Sequence, residues 1–515
     1  MPGVTSQHKQ YIQMLPLWSR VRDCEEGEDT IKLRATLYLP RLSGQSHEDY
    51  KRFLDRADYY NGTGRTIDGL HGAIFRQPPV IQWRKQPTGA EQFDPATEDA
   101  PKTFSGSSLE QTQEERWEEN ITLSGVPLQT FIKKTLREIL ITGRYGILVD
   151  MPQDGDQQCY LCGYNAESII NWREVKTGGV TKLTLVVLEE TQETIDADGF
   201  GVTESIIYRV LDLDESGFYR VRIFVYNEGD KEWVLSSQFA PTRLNQRLDF
   251  IPFLFDGVTD LTPAAEIPPL LDLANTNLTH YRTAADYQNA LHFTSLPQPW
   301  VSTTDRQHVL AIGGTTAWLL NPGDQAGYLE FSGHGIGAIK DSLTSGENQM
   351  ARLGAELLEH AKEGVEAAET VRLRQSGRAS VLSNIANTSS LAFTKALKWL
   401  VWWSNYDETD VQVKINDEFI EQRLSPQDLI ALTNSWMMRA VSRDTLLYNI
   451  KRGGVMPEDR TIADEKALID AETVTPTSPA LPLDQQPLGQ PGQPPPRPLS
   501  VGVRGNISGV DAFGQ

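Results

Sequence analysis

The sequence predicts an α+β protein that combines long helices with an antiparallel sheet. Three observations lead to this prediction. Apolar residues recur at helical spacing in several segments, most clearly over residues 128–140. Over residues 180–238 the apolar period changes to two, which is typical of half-buried strands. Over residues 379–405 no Gly or Pro interrupts a helical pattern, which predicts a rod of roughly 39 Å at 1.5 Å per residue.

Length and composition limit the class of the protein. A chain of 515 residues is long enough for several hydrophobic cores. Hydrophobic residues make up 39% and charged residues 23%, so we expect most of the chain to fold. Three cysteines, a small and odd number, favour a reducing compartment over a disulfide scaffold. The first twenty residues carry only a broken apolar run, so we expect no signal peptide, no membrane anchor and no membrane partner.

The charge balance is strongly acidic. The formal net charge is -21 at pH 7. A continuous basic surface of the kind that grips phosphate groups is not expected from this balance. The chain is therefore not expected to be a conventional nucleic-acid-binding protein.

The N-terminal part of the chain is predicted to be helical. Residues 47–75 hold two stretches with apolar residues at helical spacing, separated by Asn61-Gly62-Thr63-Gly64 and ended by two prolines. Residues 91–119 are acidic, polar and broken by Pro and Gly, which predicts an exposed insertion. The helix at 128–140 should end at Gly143 and lead into a strand at 145–150.

The middle of the chain is predicted to form an antiparallel meander. Strands are expected at residues 183–188, 205–211, 218–226 and 233–236, with Asp, Gly and Glu in the turns between them. In the third strand, apolar residues alternate with arginines, so one face should be buried and the other at least partly wet.

The C-terminal half is predicted to be mainly helical. Helices are expected at residues 270–293, 339–363, 426–432 and 443–451, in addition to the rod, and short strand-like pieces at 300–303, 316–320, 328–331 and 411–415. From Thr473 onward the sequence is rich in Pro, Gln and Gly and predicts a disordered tail.

Two short motifs imitate cofactor or metal sites. Residues 333–338, Gly-His-Gly-Ile-Gly-Ala, come close to the dinucleotide-binding pattern, but no second parallel strand is predicted after them, so we interpret them as the start of a helix. Cys159 and Cys162 have redox or half-zinc spacing, yet no second pair exists, and buried thiols are the better interpretation. Gly-x-Ser-x-Gly and Walker patterns are absent. The sequence therefore predicts no catalytic residue, no cofactor and no metal.

Several segments follow each other in a familiar order. In the N-terminal third they are Tyr-Leu-Pro-Arg-Leu at 38–42, residues 50–57, and residues 69–79 with the double proline. Further along they are residues 165–172, 251–253, 268–274, 280–286, 352–355 and 376–380. This order resembles the portal-protein family of tailed bacteriophages, and within it portal-like proteins with an N-terminal Tyr-Leu-Pro motif. The resemblance covers about residues 30–470 and depends on the order, because no single motif is diagnostic.

The resemblance implies a portal fold with an α/β wing, two stem helices, a small clip, one long helix across the wing and a helical crown. The implied regions are a wing (1–265), a first stem helix (266–292), a clip (293–336), a second stem helix (337–359), a tunnel-loop region (360–376), the long wing helix (377–406), a crown (407–472) and a disordered tail (473–515). The resemblance places the tunnel-loop candidates nearest to DNA: Lys362, Glu363, Glu366, Glu369, Arg372 and Arg374.

A portal protein is a subunit of a closed cyclic ring, in this family a dodecamer, at one capsid vertex of the virion. The resemblance implies a channel for double-stranded DNA during packaging and ejection, and assembly in the host cytoplasm. The implied partners are terminase, which would supply the ATPase chemistry, a head-tail adaptor, the major capsid protein and the scaffold. An acidic channel wall would repel phosphates and let DNA slide. Trp402 and Trp403, at the end of the rod, are the candidates for the subunit interface.

Two alternatives stay open at the level of sequence. The first is an acidic multidomain hydrolase, because Asp and Glu are abundant and the relevant pair of carboxylates would be brought together only in space. The second is another head-tail connector or adaptor protein of the virion.

Overall fold

The computed structural model describes the chain in segments. They are residues 3–83, 113–152, 158–196, 198–294, 298–302, 322–329, 334–354, 368–406, 410–417, 419, 426–457 and 460–473. Within them the chain forms helices and antiparallel sheets, which confirms the predicted α+β class. The chain divides into two compact units, residues 1–420 and 421–515.

The described helices are α1 (Lys9–Glu26), α2 (Glu28–Leu33), α3 (His47–Arg56), α4 (Gly62–Ile74), α5 (Gln113–Glu119), α6 (Leu128–Thr142), α7 (Leu271–Thr294), α8 (His334–Gly354), α9 (Ala368–Trp403), α10 (Pro426–Met437), α11 (Arg443–Arg452) and α12 (Ile462–Thr473). The described strands are β1 (Val80–Gln82), β2 (Arg144–Asp150), β3 (Tyr160–Asn165), β4 (Ile169–Thr177), β5 (Val180–Ile195), β6 (Val202–Leu213), β7 (Tyr219–Asn227), β8 (Glu232–Phe239), β9 (Thr242–Arg243), β10 (Gln246–Arg247), β11 (Phe253–Gly257), β12 (Gln298–Ser302), β13 (Gln325–Leu329) and β14 (Gln412–Lys414).

The core of the first unit is built around a three-stranded antiparallel sheet in the order β11-β2-β3. Every residue of β2 is buried. The predicted transition from helix to strand is confirmed: α6 ends at Gly143, whose φ of 77° is left-handed and whose N–H donates to Ile139 O at 2.8 Å. At Gly146 the backbone of β2 passes so close to Phe253 and Ile169 that a Cβ would lie 2.5 and 2.8 Å from their side chains. Only glycine fits there without a shift in the core.

A second sheet is the predicted antiparallel meander, with five strands in the order β4-β5-β6-β7-β8. The four predicted strands are confirmed as the central parts of β5 to β8. The strand β4 joins them, and β5 and β6 are much longer than the apolar pattern indicated. Their far ends are polar on one face and exposed, so hydrophobic periodicity did not detect them.

Helix α1 was not predicted, because Pro16 lies inside it. A proline in a helix interior removes one backbone hydrogen bond and costs about 3 kcal/mol. Trp18, Val21 and Cys24 are fully buried against the rest of the first unit. Burial of large apolar side chains contributes about 1.5–3 kcal/mol each. Tertiary packing therefore outweighs the local penalty and keeps α1 helical.

Between α7 and α8 in the chain lie β12 and β13, which pair antiparallel. The two helices run antiparallel, because Gly346 of α8 lies beside His280, whereas Met350 lies beside Gly62, which in turn contacts Asn277. The strand-like piece predicted at 316–320 lies outside the described residues. The long helix α9 begins at Ala368, before the predicted start at 377, so residues 368–376 are helical.

The second unit contains α10, α11 and α12. The helices predicted at 426–432 and 443–451 are confirmed, and α12 was not predicted. Ion pairs join α11 to α12, between Arg443 and Asp470 at 2.9 Å and between Lys466 and Asp444 at 2.6 Å. The tail predicted from residue 473 lies outside the described residues beyond the end of α12.

Gly146 and Gly72 provide a test of the packing in the first unit. We expect Gly146→Ala to destabilise the chain by about 1–3 kcal/mol through overpacking. Gly72→Ala, on the exposed face of α4 with open space around it, is expected to stabilise by up to about 1 kcal/mol. Urea unfolding followed by circular dichroism measures both midpoints. Equal midpoints for the two variants would contradict the described approach of Gly146 to Phe253.

Candidate functional site

The two antiparallel helices α7 and α8 form the region that the sequence linked to function. The stripe of α8 that faces α7 is narrow, and most other residues of the helix are exposed. Gly346 allows a close approach, because a Cβ there would lie 3.3 Å from the ring of His280. The imidazole of His280 lies 3.6 Å from the carboxylate of Glu347, but its burial lowers its pKa. The contact between the helices is therefore mainly steric.

A buried amide fixes α7 to the N-terminal helices. The side chain of Asn277 is fully buried. Its Oδ1 accepts hydrogen bonds from the backbone N–H and the hydroxyl of Thr63, both at 2.9 Å, and its Nδ2 donates to Tyr60 O at 2.8 Å. A buried amide with all these bonds specifies one position of the helix, since any shift would leave polar atoms unpaired.

Tyr38, the first residue of the Tyr-Leu-Pro motif, lies at a second contact to α7. Its hydroxyl donates to Asp23 Oδ2 at 2.6 Å, and its carbonyl oxygen accepts from Arg282 Nε at 2.8 Å. Asp23 also accepts two hydrogen bonds from Arg34. The motif thus connects α1 with α7. This role could not be predicted from the sequence, because Arg282 is 244 residues away from Tyr38 along the chain.

The far end of the helix pair is the β12–β13 hairpin. Five residue pairs are in antiparallel register, from Gln298 opposite Leu329 to Ser302 opposite Gln325. Trp300 is 41% exposed and Tyr328 is 61% exposed, so the hairpin presents aromatic surface. Residues 303–321, in the middle of the predicted clip, lie outside the described residues.

The described surface of the helix pair is nearly neutral. On α8, Lys340 and Arg352 balance Asp341 and Glu347. The acidic channel wall expected from the net charge is therefore not located on α8. It stays a prediction for other parts of the chain.

Three of the six tunnel-loop candidates lie in the described part of the chain, and the role of all six near DNA stays a prediction. Lys362, Glu363 and Glu366 lie outside the described residues. Glu369, Arg372 and Arg374 belong to the first turns of α9. These three positions are helical, which corrects the expectation of a loop there.

Trp402 and Trp403 differ in burial. Trp403 is 1% exposed, and its Nε1 donates to Thr242 O at 3.0 Å. Trp402 is half-buried, with the guanidinium of Arg243 4.3 Å from its ring centroid and the ring of Phe250 at 5.9 Å. Trp403 is a core residue of its own chain, so its side chain presents almost no surface to a neighbour. The interface role stays a prediction, and Trp402 is the residue with surface available for it.

The motifs that imitate cofactor or redox sites have ordinary structural roles. Burial raises the pKa values of Cys159 and Cys162 to about 12, so both thiols are protonated at neutral pH and poorly reactive. His334 begins α8, and the strand before it, β13, pairs antiparallel with β12. That pairing is unlike the parallel sheet of a dinucleotide fold. The described residues contain no group of three or more potential metal ligands.

Two features of the described residues bear on the hydrolase alternative, a groove and a carboxyl group with a raised pKa. A groove of about 740 Å³ lies between α9 and β14 and is lined by Leu391, Lys398, Asp410 and Lys414, among others. The carboxyl group with the largest perturbation, Asp256, is fully buried in β11 and does not line this groove. Burial raises the pKa of Asp256 to about 8, and the nearby hydroxyl of Ser389 offsets part of this effect. The carboxyl group with the raised pKa, that of Asp256, therefore does not line the groove between α9 and β14.

Comparisons with known proteins give the following likenesses. Residues 269–404 match a family described as Domain of unknown function (DUF4055). No curated protein matches the chain. A chain in a structure described as the virion of the native gene transfer agent (GTA) particle is 13% identical, with a TM-score of 0.35, over 81% of this chain and 97% of that chain.

Two further likenesses come from necks of such particles. One, from the neck of the empty GTA particle computed with C6 symmetry, is 12% identical with a TM-score of 0.36, over 83% of this chain and 95% of that chain. The other, from the neck of the native particle computed with C12 symmetry, is 13% identical with a TM-score of 0.33, over 82% and 98%. The described residues contain no helix long and apolar enough to cross a membrane.

The neighbouring tryptophans make a matched pair for mutation. We expect Trp403→Ala to cost about 3–5 kcal/mol of unfolding free energy, because it removes a buried ring and leaves Thr242 O without its donor. Trp402→Ala should cost clearly less, because that ring is half-buried. Denaturant unfolding at low protein concentration measures both. A larger loss for Trp402→Ala than for Trp403→Ala would contradict the described burial.

Asp256 predicts a pH dependence. The raised pKa means that folded Asp256 holds its proton until about pH 8, whereas an unfolded Asp loses it near pH 4. The wild type is therefore expected to lose stability relative to Asp256→Asn as pH rises from about 4 to about 8. Unfolding midpoints at pH 5 and pH 8 measure this difference, with Asp55→Asn, at an exposed site, as control. A wild type whose stability does not fall relative to that of Asp256→Asn between pH 5 and pH 8 would contradict the prediction.

Proposed function

We propose that this chain is the portal protein of a tailed bacteriophage. In this function it forms a ring at one capsid vertex, and the ring encloses the channel through which DNA is packaged and ejected. The observation that carries the proposal is the order α7, β12, β13, α8, in which the two strands pair with each other. The two helices are antiparallel, and α7 is anchored to the N-terminal helices.

The surface of α8 supports repeated side-by-side packing. Its outward residues are mostly small or polar, among them Gly335, Ala338, Ser342 and Ser345. Small residues let neighbouring helices approach closely. One such interface, between α8 of one subunit and α7 of the next, is heterologous and generates a ring when the rotation closes. The stem helices implied by the sequence are thus supported by both connectivity and surface chemistry.

A DNA channel requires weak contact with phosphate groups. The balanced charges of α8 give a duplex no continuous row of cations to bind, and the net charge of -21 opposes adhesion at longer range. In this proposal the chain performs no chemistry. Terminase supplies the ATP hydrolysis, and a head-tail adaptor, the major capsid protein and the scaffold are the other partners. The protein assembles in the host cytoplasm and resides in the virion.

Imaging of the purified protein tests the proposal. We expect negative-stain electron microscopy to show closed rings with a central channel, twelve-fold if the subunit number follows the portal family. Trp402→Ala should reduce the ring fraction more than it reduces the unfolding midpoint, whereas Trp402→Phe, which keeps an aromatic ring, should largely preserve assembly. Monomers under every buffer condition, or a compact particle without a channel, would sink the proposal.

A further inference from the structure

The hairpin β5–β6 continues beyond its sheet as a two-stranded arm, residues 191–206. The strand β4 pairs with β5 only as far as Leu188, and β7 pairs with β6 only from Ile207. In the arm the two strands pair only with each other. All its described residues are exposed except Gly201, which is half-buried. At about 3.3 Å per residue, its five paired positions extend roughly 17 Å past the sheet.

One face of the arm alternates apolar and acidic pairs. The pairs from the tip inward are Ile195 with Val202, Glu193 with Glu204, and Thr191 with Ile206. The exposed fractions of Ile195, Val202 and Ile206 are 71%, 54% and 48%. Two like charges directly opposite each other destabilise an isolated ribbon. Cations on another surface would neutralise the two opposed glutamates. Apolar groups beside those cations would cover the exposed apolar side chains of the arm.

Hydrogen bonds to two Asp side chains link residues near the tip of the arm. The carboxylate of Asp198 accepts hydrogen bonds from the N–H groups of Phe200 and Gly201, at 3.0 and 3.1 Å. Thr203 Oγ1 donates to Asp196 Oδ1 at 2.7 Å. This turn presents Phe200 with 94% of its surface exposed. An exposed aromatic side chain on a hydrogen-bonded turn is typical of a contact that anchors an interface.

The arm is acidic and carries no cation. Residues 191–206 contain four carboxylates, Glu193, Asp196, Asp198 and Glu204, and no Lys, Arg or His. No ion pair joins Glu193 or Glu204 to a cation in the described residues of the same chain. An isolated two-stranded ribbon is marginally stable in water, so an arm of this composition gains stability from a complementary surface.

The same chain carries such a surface elsewhere, which we call the basic ledge: His71, Phe75, Lys133 and Lys134. The ammonium of Lys133 lies 5.7 Å from the centroid of the Phe75 ring, and His71 contacts the same ring at 4.8 Å between centroids. Lys133 and Lys134 are exposed neighbours on the outer face of α6, and neither has an ion-pair partner among the described residues. Glu138, the acidic residue of α6, is buried and paired with Arg22.

We propose that the arm of one subunit docks on the basic ledge of the next subunit. Glu193 and Glu204, whose Cβ atoms are about 5 Å apart as a cross-strand pair, meet the two adjacent lysines. Ile195 and Val202 lie against the Phe75 ring. The two surfaces differ, so the contact is heterologous and propagates from subunit to subunit until a ring closes. This inference rests on the proposed ring function and names a second contact within it, outside the helix pair.

Charge reversal tests the docking. Glu193→Lys with Glu204→Lys, and separately Lys133→Glu with Lys134→Glu, are each expected to raise the concentration for half-maximal ring assembly about tenfold, equivalent to about 1.4 kcal/mol. All four substitutions together should restore assembly toward the wild type. Sedimentation velocity at fixed ionic strength measures the ring fraction. Because all four side chains are exposed, the unfolding midpoint of each variant should stay close to that of the wild type.

Glu215→Lys with Glu228→Lys is the matched control, because it makes the same charge change at exposed turns of the same sheet. The control is expected to assemble like the wild type. The docking inference is overturned if the arm variant assembles like the control, or if the fourfold variant is no better than either double variant. Rings in all variants would overturn only the docking. The absence of rings in the wild type would overturn the proposed function and the docking with it.

Discussion

The arrangement of the helix pair depends on one buried amide. Asn277 is fully buried and bonds both the side chain and the backbone at the start of α4. Tyr38 and Arg282 add a second contact one turn further along α7. A shifted helix would leave these buried polar groups without hydrogen-bond partners. The free-energy cost of misplacing α7 is therefore high. The position of α8 follows from that of α7, since Gly346 packs on His280.

Most elements of the fold were predictable because their apolar residues repeat with a regular period. The helix α6, its glycine cap and the strand β2 were predicted from residues within a few turns of each other. Helix α1 was not, because the local cost of Pro16 is outweighed only by distant partners of Trp18. The outer parts of β5 and β6 were missed for the opposite reason: no core covers them, so their strands carry no continuous apolar alternation.

The candidate site was less predictable, because its properties depend on which distant residues meet. Trp402 and Trp403 are adjacent residues of the same type, so the sequence alone does not distinguish them. The position of Thr242 and of the β9–β10 turn makes Trp403 a core residue and leaves Trp402 half-buried. The Tyr-Leu-Pro motif was recognised by its place in an order, and its physical role depends on Asp23 and Arg282. The net charge could be counted from the sequence, but that the balanced charges of α8 lie on its exposed face required the structure.

Because the polar contacts of α7 to the N-terminal helices lie at Asn277 and Arg282, the helix pair can tilt about this end like a lever. From Asn277 to the end of α7 at Thr294 the helix rises roughly 26 Å at 1.5 Å per residue. A tilt of about 5° at the fulcrum would therefore displace the β12–β13 end by roughly 2 Å, while the polar bonds at the fulcrum barely stretch. In a ring where the helix pair of each subunit contacts that of the next, a tilt of one pair would be coupled to tilts of its neighbours. The diameter at the hairpin end would then respond to small forces applied far from the fixed end.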